Sequence, residues 1–192
     1  MTKIAIIVGH ARKDTFCEAL GKAYLKGAEA AGHEAALFVT SRMAFDPVLH
    51  EGFSAPQPLE PDLQAAQDAV GAAEHLVFIF PLWLGTLPAI FKGFLERILQ
   101  PGFAMSGDLA KGTYTRLLKG KSARVIVTMG MPGFVYKWYF GAHALKMFKR
   151  NILKFVGIGP IRSSIFGNVE GVSAAKRQGW LKQMEERGKN AA

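Results

Sequence analysis

HLVFIFPLWLGTLPAIFKGFLERI (75–98) changes its hydrophobic period halfway along. Residues 75–80 are apolar almost throughout, the pattern of a strand covered on both faces, as strands of a parallel sheet are. From Pro88 onward, Ile90, Phe94 and Ile98 fall at i, i+4 and i+8, the spacing of one helical face. Pro88 suits the first turn of that helix, where its missing N–H costs nothing. Between the two lies a loop with Leu82, Trp83, Leu84, Gly85 and Thr86 and no charge. An uncharged aromatic loop at the end of a buried strand is unusual, because most surface loops are polar.

The same alternation extends in both directions. KIAIIVG (3–9) reads as a first strand, followed by a helix to about residue 31 with Asp14 or Thr15 as its N-cap and Gly32 as its stop. EAALFVT (34–40) is a second strand, 41–60 a loop, and 61–74 a helix with Pro61 at its first position. After the 75–98 unit come a Gly-rich loop (100–118), a strand (122–130), a helix (139–156), a strand (159–167) and a final helix (172–187). Five β-α units without an internal repeat or a linker predict an α/β domain over residues 1–190: a parallel sheet between two helical layers. The arrangement expected is flavodoxin-like, a three-layer sandwich with strand order 2-1-3-4-5. Ligands in such a sheet sit at the carboxyl ends of strands 1, 3 and 4, where the order reverses. The loops to read are therefore 9–17, 81–87 and 129–143.

Composition narrows the class. The chain has 192 residues, 49% hydrophobic and 20% charged, enough for a full core. One cysteine, Cys17, excludes a disulfide framework and a Cys-based zinc cluster, and no metal site is expected. A reducing, cytoplasmic setting fits. The first residues lack a signal-peptide pattern, and the longest charge-free apolar stretch, Leu76 to Phe91, is too short and too broken by proline and glycine for a membrane span. The net charge of +9 is uneven: residues 1–110 hold 8 Lys/Arg and 12 Asp/Glu, residues 111–192 hold 16 and 3. Such a balance suits a solvated basic surface, a phosphorylated ligand or an anionic partner. No helix-turn-helix, zinc-finger or RNP-like pattern accompanies it, so no nucleic-acid partner is expected.

Loop one, GHARKDTFCEAL (9–20), is neither GxGxxG nor GxxxxGK[ST], which disfavours a dinucleotide Rossmann turn and a P-loop. It offers His10, Arg12, Lys13 and Thr15 before a helix start, which reads either as a phosphate cradle or as a capped helix with solvated cations. Loop two, PLWLGTLP (81–88), supplies apolar contact for a flat ring and backbone N–H groups for its edge. Its apolar sequence alone favours core or interface packing. Loop three, TMGMPGFVYKWYFGAH (128–143), sets a Thr-Met-Gly turn after a strand. Amides around Gly130 can face developing negative charge, with Tyr136 and His143 nearby in sequence. Its other aromatics read as core or dimer packing.

Taken together, HARKDTFCEAL (10–20), FPLWLGTLPAIFKGFLERIL (80–99), TMGMPGFVYKWYFGAH (128–143) and NILKFVGIGPIR (151–162) resemble the flavodoxin-like NAD(P)H:quinone oxidoreductases. They are similar also to the ancillary subunits of glutathione-gated potassium efflux systems. The resemblance implies a non-covalent flavin, FMN by compactness with FAD as the alternative, and NAD(P)H as co-substrate. It further implies a quinone acceptor and a homodimer. By matching positions, His10, Thr15, Phe16 and Cys17 would meet the flavin phosphate side. Pro81, Leu82, Trp83, Leu84 and Gly85 would line the ring edge, and Thr128, Gly130 and Met131 the pyrimidine edge. Tyr136 and His143 would be the catalytic pair at hydride transfer through flavin N5, in a ping-pong cycle. Cys17 stands where Asn is common, Met131 where a second Gly is common, and one extra residue separates Tyr136 from His143. The same likeness also admits an efflux-system subunit docked on a membrane transporter, or an azo- or nitro-reductase.

Overall fold

The computed structural model describes residues 1–108 and 111–192. Strands β1 (Lys3–Val8), β2 (Glu34–Val39), β3 (His75–Pro81), β6 (Ser122–Thr128) and β7 (Ile161–Phe166) form one parallel sheet in the order β2-β1-β3-β6-β7. Counting only these five, the order is 2-1-3-4-5, as the alternation predicts. The central strand β3 is buried at all its positions, which explains its unbroken apolar sequence.

The pleat sends alternate residues to two cores. Ile4, Ile6 and Val8 of β1, with Val77 and Ile79 of β3, pack against α1 (Phe16–Ala30) and α7 (Ala174–Lys189). Ala5, Ile7, Phe78 and Phe80 face α2 (Pro61–Ala72) and α3 (Ala89–Ile98). Phe78, Phe80, Phe91 and Phe148 form the centre of this second core, with ring centroids 5.3–6.4 Å apart. On the first side α1 and α7 touch backbone to backbone. A Cβ on Gly27 would stand 1.9 Å from the Glu185 carbonyl oxygen, and one on Gly188 would stand 2.0 Å from that of Tyr24. Only glycine permits that approach.

Two expectations are corrected. The stretch 100–118, expected as loop, contains an antiparallel hairpin, β4 (Met105–Asp108) with β5 (Thr113–Arg116). Its strands are too short and too polar to carry a periodic signal. The helix expected over 139–156 is broken: α4 (Gly133–Trp138) precedes it, and α5 starts only at His143 (His143–Met147). Gly141 and Ala142 lie between them in the left-handed region, with φ of 59° and 51°, which no continuous α-helix tolerates. From Phe148 to Leu153 the chain widens into a π-helical turn before α6 (Lys154–Val156).

The loop 43–60 is fastened by Arg97 of α3. Its buried guanidinium donates to Glu60 Oε2 at 2.8 Å, to the Pro58 carbonyl at 2.7 Å and to the Asp46 carbonyl. No helix among the described residues is long and apolar enough to cross a membrane.

Candidate active site

Loops from β1, β3, β6 and β7 meet at the carboxyl ends of the strands and enclose a cleft of about 440 Å³. Its walls carry His10, Thr15, Phe16, Cys17, Pro81, Leu82, Trp83, Thr128 and Gly130, each expected from sequence. The strand-order reversal between β1 and β3 opens this space, because their connections leave toward opposite faces.

The first wall is the 10–17 turn. Thr15 is the N-cap of α1 and its hydroxyl accepts the Glu18 N–H, which resolves the choice between Asp14 and Thr15. Asp14 has φ of 56°, and its N–H donates to Glu18 Oε2 at 2.9 Å. The Glu18 carboxylate is itself buried. It takes Arg42 Nε at 3.0 Å and Lys22 Nζ at 2.8 Å, and Arg42 also reaches Asp14 at 2.6 Å. Burial opposes ionisation of Glu18, but these donors outweigh it and hold the carboxyl below its ordinary range. The network fixes the turn, and among the described residues the Phe16 and Cys17 amides at the helix N-terminus have no acceptor.

His10 sits across from this terminus. Its backbone N–H donates to Thr40 Oγ1 at 3.1 Å, and its Nδ1 accepts from the Arg12 N–H at 2.9 Å. That bond places the neutral imidazole's proton on Nε2. Burial and the Arg12 charge lower its pKa. Cys17 Sγ lies 3.2 Å from Thr128 Oγ1, and burial raises its thiol to about 12, so it is a packing group and no thiolate.

The second wall is the uncharged loop. The Leu82 N–H donates to the Thr128 carbonyl at 2.8 Å, tying it to β6. Trp83 and Thr86 exchange two backbone hydrogen bonds around Leu84 and Gly85, both with positive φ. A two-residue turn of this hand requires that geometry. Gly85 adopts it freely; Leu84 does so at a cost of roughly 1 kcal/mol while fully exposed.

The third wall is the β6–α4 turn. Among the described residues the Gly130 and Met131 amides have no acceptor, and a Cβ on Gly130 would meet nothing within 4 Å. Met131 is half-buried beside the cleft, and its carbonyl accepts the Asn168 N–H at 2.9 Å. Tyr136 and His143 do not line the cleft. Tyr136 is buried, with its hydroxyl accepting the Leu145 N–H at 3.0 Å, and His143 is exposed at the start of α5. Leu84 and Gly85 form the exposed rim.

Sequence reading missed the fourth wall. Val169, Glu170 and Arg177 also line the cleft, and Arg177 donates to the Val169 and Val172 carbonyls at 3.2 and 2.7 Å. Arg177 lies far along the chain in a polar helix, and no local pattern separates it from its neighbours.

The walls thus offer donors at one end, apolar contacts along one side and unclaimed amides opposite. Chains of doubly wound α/β topology with such a cleft form a recognisable class. This chain matches the family described as "flavodoxin-like fold" over residues 2–188, and it belongs to that family. The NAD(P)H dehydrogenase [quinone] 1 of Rattus norvegicus is 26% identical, over 94% of this chain and 75% of its own length. An uncharacterized NAD(P)H oxidoreductase of Haemophilus influenzae is 29% identical, over 72% of this chain and 70% of its own. In structure, an NAD(P)H:quinone oxidoreductase from Methanothermobacter marburgensis superposes with a TM-score of 0.80 at 24% identity, covering 98% of this chain and 96% of the other.

Proposed function

We propose that this chain is an NAD(P)H:quinone oxidoreductase that works with FMN as one flavin-binding domain spanning residues 1–190. One observation carries the reading: the cleft joins a free helix N-terminus, an uncharged aromatic loop and unclaimed amides at Gly130 and Met131. These are the three requirements of a phosphorylated isoalloxazine: anion donors, apolar contact for the ring, and hydrogen-bond donors at the edge that gains charge. The open space beside Gly130 leaves room for that edge. Relatives point the same way. An FMN-dependent NADH:quinone oxidoreductase of Ruegeria pomeroyi is 31% identical over 45% of this chain.

When bound, FMN would supply the two-electron chemistry between NAD(P)H and a quinone, with hydride transfer through N5 in a ping-pong cycle as the expected route. The chain's residues do the rest. Thr15, Phe16 and Cys17 offer the α1 terminus to the phosphate, with the neutral His10 Nε2–H as a further donor. Pro81, Leu82 and Trp83 exclude water from one side of the ring. The Gly130 and Met131 amides would hold the ring's pyrimidine edge by donation. Tyr136, whose hydroxyl accepts the Leu145 N–H behind the cleft, would act as a positioning residue that fixes the start of α5 and with it His143. His143 would compensate the charge that accumulates on reduction. Its exposure in one chain fits a role completed at an interface. Phe134, Trp138, Tyr139 and Phe140 are exposed around it, a patch that a second copy would cover in a homodimer. A cytoplasmic setting accompanies this reading.

The purified protein should be yellow, release FMN on denaturation, oxidise NADH or NADPH and reduce a soluble quinone in turn. A colourless protein that stays colourless after incubation with FMN and with FAD ends the proposal. In stopped flow, His143→Ala should slow flavin reduction with little loss of bound FMN. An unchanged rate removes His143 from the reaction.

A further inference from the structure

A second cleft, of about 570 Å³, opens on the α1/α7 face of the sheet, beside the edge strand β7. Its walls carry Arg124, Arg162, Ser163, Ser164, Gln183 and Arg187, with Trp180, and no carboxylate side chain. Arg124 and Arg162 are register partners on adjacent parallel strands and so project from the same face. Arg187 comes from the last turn of α7. Three guanidinium groups from three elements thus converge on one groove.

Like charges at this spacing repel, and a fold that needed only solubility would scatter them. Here they are held together. Arg124 is buried, its Nη1 donates to Ser164 Oγ at 2.9 Å, and its Nε to the backbone oxygen of Ala192. Burial first, then the charges of Arg187 and Arg162, lower its pKa against an upward pull from Tyr24. Among the described residues no Asp or Glu side chain forms an ion pair with Arg124, Arg162 or Arg187. The latter two are exposed. The Ser164 hydroxyl and the Gln183 amide add neutral polar groups to the same walls. Guanidinium forks match the oxygens of a phosphoryl group, and a dianion answers the charge imbalance better than a single carboxylate does.

We propose that this groove binds a phosphoryl group, free or carried on a small molecule, at a site separate from the flavin cleft. The two clefts share no lining residue and are separated by the packed rings of Phe16 and Trp180, so the proposal stands whether or not FMN fills the first one. The ligand would bridge β6, β7 and the end of α7, pinning the edge strand to the helix.

The test is a melting-temperature titration of the purified protein with inorganic phosphate and with AMP, at constant ionic strength balanced with chloride. Saturating ligand should raise the melting temperature by roughly 3–6 °C. The Arg162→Gln/Arg187→Gln double variant changes two exposed residues outside the flavin cleft. It should melt higher than the wild type in phosphate-free buffer, because repulsion on Arg124 is relieved, and should lose the phosphate response. Equal responses to phosphate and AMP would assign recognition to the phosphoryl group alone; a response at lower AMP concentration would assign it to a phosphomonoester. No rise in the wild type overturns the proposal. So does a rise of the same size in the double variant, which would move the binding to the α1 terminus.

Discussion

The imidazole of His10 and the indole of Trp83 meet edge to face, with ring centroids 5.0 Å apart, across the mouth of the flavin-type cleft. One ring leaves β1 and the other leaves β3, so this contact joins two of the three loops. Because Arg12 occupies His10 Nδ1, the imidazole edge and its Nε2–H are held in one orientation. Trp83→Ala removes the partner and part of the apolar wall. It should weaken FMN binding about tenfold, equivalent to ~1.4 kcal/mol. Trp83→Phe should retain most of the affinity. Quenching of flavin fluorescence on titration measures both, and equal affinity for all three proteins would show that Trp83 does not contact the ring.

Cys17 should be chemically silent in the folded protein. Its thiol is buried against Thr128 and pushed up to about 12, so at pH 8 it carries almost no thiolate. A thiol reagent should label the native chain at least a hundredfold more slowly than the chain in denaturant. Fast labelling of the native protein would contradict the packing of the α1 terminus on β6.

Acid should destabilise the fold through His75 well before the carboxylates titrate. His75 is buried on β3, bonded by Nδ1 to Ser122 Oγ at 2.7 Å, with no partner for Nε2. Burial, then Arg124 and Arg162, bring its pKa down to about 4 from the ordinary 6.5. Tyr24 stacks on its ring and carries no charge in this range. The unfolded chain therefore binds the proton first. Stability is full above about pH 6.5 and declines as pH falls toward 4, by about 3 kcal/mol in all. His10, also lowered, adds to the same slope. Denaturant midpoints across this window should fall for the wild type and fall much less for His75→Gln.

Arg97 should be among the costliest residues to shorten. Its side chain is buried and satisfies Glu60 and the carbonyls of Asp46 and Pro58 together. Arg97→Ala strips the donor from the Asp46 and Pro58 carbonyls, leaves Glu60 with the Asp46 N–H, and should cost about 3–5 kcal/mol. Arg97→Met, which keeps the volume, should cost less. Limited proteolysis should cut both variants first within residues 43–60, because Arg97 is what ties that loop to α3.

The place of the cleft and much of its lining were legible along the chain. The unbroken apolar run of β3 announced a strand covered twice, and the alternation around it dictated a reversal in strand order and hence where a ligand would lie. Thr15 was marked by its position before a helix, and Trp83 by being aromatic in an uncharged loop. The aromatic run after Gly130 misled. Its apolar residues read as helix from 139, yet Gly141 and Ala142 turn left-handed and α5 begins only at His143. Backbone hand at a single residue leaves no periodic trace.

Local sequence determined the five strands of the main sheet and their order along the chain, because burial on two faces and on one face impose different periods on the chain. Tertiary structure alone decided what converges. Arg42 on Glu18, Arg97 on Glu60, and Arg124 beside Arg162 and Arg187 are meetings of residues separated by 24 to 63 positions. Charge interactions act through space, and no pattern along the chain records which distant charge a fold will bring near.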